Sequence, residues 1–100
     1  MPARLAQSNA AELQRQLAEL TGHTAAHVRP YGKHLLIQMH RDDGIDTVAR
    51  LTELARDKYT AAFRSHTGRW EPLPVSAASM RACAEHVTTL LASYLEPRLM

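Results

Sequence analysis

Cysteine occurs once, at Cys83, so no intramolecular disulfide can form and a stapled, secreted-type scaffold is excluded. Glycine occurs four times, each one isolated, so no glycine-rich phosphate loop exists. The longest unbroken apolar run is Leu35-Leu36-Ile37, far too short to span a bilayer. Between Met1 and Leu20 the polar residues Arg4, Gln7, Glu12 and Arg15 interrupt any apolar block of signal-peptide type. A cytoplasmic location and no membrane partner are the resulting expectations. An excess of one charge is lacking too. Twelve Lys and Arg stand against ten acids, which argues against an acidic mimic of DNA and is mild for a nucleic-acid binder.

What is present describes an ordinary globule. One hundred residues, 45% apolar, with mean hydropathy −0.32, suit a single domain over 1–100 with one core. Charge is unevenly placed: residues 1–22 and 76–100 balance, so the net +2 lies in 23–75. Five of the six histidines lie there as well, so this middle segment gains positive charge as pH falls through about 6.5.

The chain is organised around residues 34–74. Before them, Leu13, Leu17 and Leu20 give a narrow helical stripe, with Asn9 as cap, Glu12 answering it and Gly22 as stop. His23 to Arg29 reads as a weak first strand, followed by a turn at Pro30-Tyr31-Gly32. Lys33 to Arg41 alternates clearly, with Leu35, Ile37 and Met39 on one face. Residues 45–56 have helical spacing, yet Thr47, Val48 and Thr52 are β-branched and Asp43-Gly44 invites a hairpin, so strand is favoured over helix. Lys58 to Ser65 follows as a strand, and Arg69-Trp70-Glu71 starts an edge strand that Pro72 and Pro74 end. Ser76 then caps a last helix, with Val75 stapled to Met80. Its stripe is Met80, Ala84, Val87, Leu91 and Tyr94, widened by Cys83, Leu90 and Leu95, and Pro97 ends it. The expected fold class is α+β: an antiparallel sheet of four to five strands, with the N- and C-terminal helices packed on one face.

No constellation nominates an enzyme. Cys83 lies on a core-facing stripe, where a thiol behaves as a small hydrophobe. His23 and His27 both lie in the expected first strand and His34 and His40 lie six apart on the second, about 20 Å at extended rise, so neither pair holds one metal. Asp42, Asp43 and Asp46 read as turn formers. No cofactor or metal is expected.

The face opposite the helices is the functional clue. It should carry Leu36, Val48 and Ala62 centrally, ringed by His34, Gln38, His40, Arg50, Thr52, Thr60 and Arg64, with Arg69 beside it. An apolar middle with a cationic rim suits contact with another protein or a second copy of the chain, and a homodimer is the expected assembly. His34, Leu36, Gln38, His40, Arg50, Arg64 and Arg69 are the candidate partner-binding residues. The expected function is a non-enzymatic binding protein, similar in size and style to small accessory or inhibitor proteins of bacteria, phages and plasmids. Trp70 is expected to be an anchor between hairpin and last helix. The alternative is a nucleic-acid binder using Arg29, Lys33, Arg50, Arg64 and Arg69 with Trp70; an enzyme with an unrecognised site is a weaker one.

Overall fold

In a computed structural model, which describes residues 3–96, β-hairpins succeed one another without a crossover. α1 (Ala3–Thr21) leads into β1 (Ala26–Tyr31), β2 (His34–Arg41), β3 (Gly44–Ala55), β4 (Lys58–Arg64) and β5 (Trp70–Pro72), followed by α2 (Met80–Leu90) and a short 3-10 turn, Ala92–Leu95. The sheet order is β1-β2-β3-β4-β5 and every neighbouring pair is antiparallel. The molecule is the expected α+β fold, an antiparallel meander with both helices on one face.

Alternation decides which residues enter the core. Leu35, Ile37 and Met39 of β2, Leu51 of β3, and Tyr59 and Ala61 of β4 are buried together with Leu13 and Leu17 of α1 and Met80, Cys83, Ala84 and Val87 of α2. Neither helix has a buried face of its own large enough to be stable alone, so each is held by this shared layer.

Residues 45–55 form a strand, with Arg56 in the turn that follows, and the helical spacing has a structural cause. Ile37 pairs with Ala49 while Gln38 pairs with Thr47, so Val48 is the extra residue of a β-bulge. Val48 and Ala49 are consequently both buried, followed by Leu51. A bulged strand thus imitates the i, i+3 burial of a helix. The bulge also corrects one expected placement: Val48 belongs to the core, not to the centre of the open face.

Four other boundaries differ from the sequence reading. α1 begins at Ala3, well before Asn9, and Glu12 bonds Arg15 and Gln16 on its own helix instead of answering a cap. β1 starts later than expected and contains Pro30, so the turn is Gly32-Lys33. Residues ahead of α2 stay extended, with Ala78 bridged to Tyr59, which moves the cap from Ser76 to Ser79; its hydroxyl accepts from the Ala82 N–H at 3.2 Å. Finally α2 stops at Leu90, so Tyr94 and Leu90 are exposed while Leu91 and Leu95 are buried. The expected stop at Pro97 lies outside the described residues.

Both sheet edges are closed to further pairing. The outward N–H of Val28 is taken by the Gln14 side-chain oxygen at 2.9 Å, and Pro30, two residues on, has no N–H to offer. On the other edge β5 is three residues long and Pro72 fills the next outward position after Trp70.

Candidate contact face

The face turned away from the helices is built by the alternate positions of all five strands. Cross-strand pairing sets Arg29, Leu36, Arg50, Ala62 and Pro72 in one row from edge to edge. Tyr31, His34, Thr52 and Thr60 make the row on one side of it. On the other side lie His27, Gln38 and Thr47 and, across the sheet, Arg64 and Trp70.

Six of the seven expected partner-binding residues share this face: His34, Leu36, Gln38, His40, Arg50 and Arg64. Arg69 does not; it is an exposed residue of the β4–β5 connection, just before the edge strand begins. Several polar side chains are already committed to neighbours across the sheet. His34 Nδ1 and Thr52 Oγ1 lie 2.8 Å apart, and the Gln38 amide donates to Thr47 Oγ1 at 3.0 Å. The rings of His27 and His40 stack with centroids 4.2 Å apart.

Trp70 is the main correction. Its partner in the ladder is Arg64, so alternation turns the indole to the open face, away from α2. There the Arg50 guanidinium lies 4.4 Å from the ring centroid and that of Arg64 lies 5.7 Å from it. The Arg50 Nε is buried and has no hydrogen-bond partner. A guanidinium laid on an aromatic ring keeps its in-plane N–H groups for a carboxylate or phosphate.

Charge is segregated across the sheet. Arg29, Arg50, Lys58 and Arg64 occupy the open face, and none of its alternating positions holds Asp or Glu. The strand carboxylates Asp46, Glu53 and Glu71 fall on the opposite alternation, paired in register with Met39, Tyr59 and Phe63. The small net charge therefore conceals a one-signed surface.

Burial, together with the Arg50 and Lys33 charges, lowers the pKa of His34 below its ordinary value. The unfolded chain then binds this proton more readily than the folded one. Its contribution to stability is complete above about pH 6.5 and is lost as pH falls through that value toward the lowered folded one. The Tm of His34→Gln is accordingly expected to fall less than that of the parent between pH 7.5 and 5.5. Parallel pH profiles would contradict the assignment.

Two other places were candidates for chemistry. Cys83 is fully buried, its Sγ 3.6 Å from the Tyr59 carbonyl, and burial pushes its thiol up to about 11. Iodoacetamide at pH 8 should label it only as fast as the protein unfolds, and quickly in denaturant; rapid labelling of the native protein would contradict its burial. A groove of about 710 Å³ near the start of α1 is lined by Leu5, Leu54 and Met80 with Glu12, Glu53 and Asp57, and brings no nucleophile and base together. Among the described residues, no group of three or more His, Cys, Asp or Glu side chains converges as a metal site, and no helix is long and apolar enough to cross a membrane.

Sequence reasoning left two contributors off the face: Tyr31, which it placed in a turn with Pro30, and His27, which it placed in the first strand without assigning it a face; Trp70 it placed there only in the nucleic-acid alternative. For Trp70 a signal existed, because the short connection from Arg64 to Trp70 can close only as a hairpin that sets the two side by side. Compared with protein-family models, curated proteins and solved structures, the chain matches none.

Proposed function

We propose that this protein is a non-enzymatic binding protein that acts by contact with another protein through the open face of its sheet. The observation that supports this most is the face itself. It combines Trp70, Tyr31 and arginines, the residue types that dominate interface energetics, with small apolar positions at Leu36 and Ala62 and no carboxylate. Such a partner role suits a small accessory or inhibitor protein. A second copy is the less favoured partner: apposing two such faces brings Arg50 and Arg64 against like charges, and both sheet edges are blocked.

Capture of a partner from the native host, followed by lysine and carboxylate cross-linking, tests the reading. Cross-links from Lys33 and Lys58, at one end of the face, support it; cross-links confined to α2 would overturn it. Nucleic acid is the second reading, favoured by Trp70 sharing a face with Arg29, Arg50 and Arg64. It demands binding that weakens steeply with salt, since each neutralised phosphate releases counterions. Absence of a gel shift with duplex or single strand at low salt would remove it.

A further inference from the structure

We propose that the partner presents an acidic, amphipathic segment to this face, and that Arg50 and Arg64, braced on Trp70, receive its carboxylates. The inference rests on the open-face reading above and gives the partner a chemistry.

Charge complementarity carries it. A face bearing Arg29, Arg50, Lys58 and Arg64 without a single carboxylate requires negative charge opposite, or its own cations are desolvated unpaired. Among the described residues, none of Arg29, Arg50 and Arg64 forms an ion pair within the chain. Apolar surface decides between a polypeptide and a phosphate backbone. Tyr31 is 65% exposed and Ile45 62% exposed at opposite ends of the face, and Leu36 lies between the Arg29 and Arg50 positions of the central row. Phosphates have no use for these side chains, whereas a segment alternating acidic and apolar residues matches both patterns. The Trp70 ring already carries a guanidinium at 4.4 Å, which leaves it poorly placed as a stacking platform for bases. Hydrogen-bonding groups that could read base edges, at His34 and Gln38, are closed on Thr52 and Thr47.

Trp70 is the sole tryptophan, so its fluorescence reports occupancy of the face directly. Four probes are titrated at moderate salt: a 16-residue peptide alternating Glu and Leu, its Lys-and-Leu counterpart, a 20-nucleotide single strand and its duplex. The expected result is a saturable change in Trp70 emission with the Glu peptide alone. Joint charge reversal at the exposed Arg29 and Arg64 (R29E with R64E) should weaken it at least about tenfold. Circular dichroism and melting confirm that this variant folds, and Arg64→Lys should retain most of the binding. No response to the Glu peptide, an equal response to the Lys peptide, or indifference to charge reversal would overturn the proposal. Tighter binding of either oligonucleotide would replace it with the nucleic-acid reading. The open-face reading fails separately, when the partner captured from the host leaves Trp70 emission unchanged.

Discussion

Leu51→Ala is expected to destabilise the protein by about 2–5 kcal/mol, the range for a large aliphatic residue removed from a closed core. Leu51 is wholly inaccessible and sits in the central strand, across from Leu35 on one side and Ala61 on the other. For a domain of this size about 1 kcal/mol moves Tm by roughly 4–8 °C, so the melting point should drop by about 8 °C or more. Against an ordinary total stability of about 5–15 kcal/mol, that is a large share. Leu36→Ala is the control. Leu36 has the same side chain one strand away but lies half-buried on the open face, and should cost only about 1 kcal/mol or less. Equal melting points for the two variants would mean that the sheet faces have been interchanged.

Trp70→Ala carries the other large effect, in binding instead of folding. Its loss removes the stack beneath Arg50, worth about 0.5–1 kcal/mol, and a modest part-buried area. A stability change of about 1–2 kcal/mol is therefore expected, well below the cost of deleting a core tryptophan. Affinity for the partner captured from the host should fall by at least about 2 kcal/mol, close to thirtyfold, as for an aromatic anchor at the centre of an interface. Isothermal titration with the wild-type and variant proteins reads this directly. A variant that binds as the parent does, or one that no longer folds, would each contradict the placement of Trp70 on a contact surface.

Much of this fold was legible because alternation is a strong signal when one face is buried. Leu35, Ile37 and Met39, and Tyr59, Ala61 and Phe63, declare their strands and faces without ambiguity, and the Asp-Gly turn before Ile45 outweighs the helical spacing beyond it. Part of what was obscured has one cause: register cannot be counted through irregularities. The bulge at Val48 shifts alternation by one residue within β3, and sequence periodicity alone cannot say where the shift falls. Pro30 reads as a turn residue because proline breaks ladders, yet on an edge strand its missing N–H faces outward at no cost. The same holds for the final cap: Ser76 and Ser79 are equally good in composition, and only the Tyr59–Ala78 bridge decides between them. Segregation of charge was invisible for a different reason, since it exists only after the strands are aligned side by side.

The contact face itself is tested most directly by hydroxyl-radical footprinting of the protein with and without its captured partner. Among the described residues six large apolar side chains are strongly exposed, divided between the open face (Tyr31 and Ile45) and elsewhere (Leu5, Leu54, Leu90 and Tyr94). If the open face is the recognition surface, the partner should suppress oxidation of Tyr31, Ile45 and Trp70 and leave Leu5 and Leu90 oxidised as in the free protein. Protection of Leu5 and Leu90 with Tyr31 and Trp70 still reactive would contradict it, and would place recognition on the helical side.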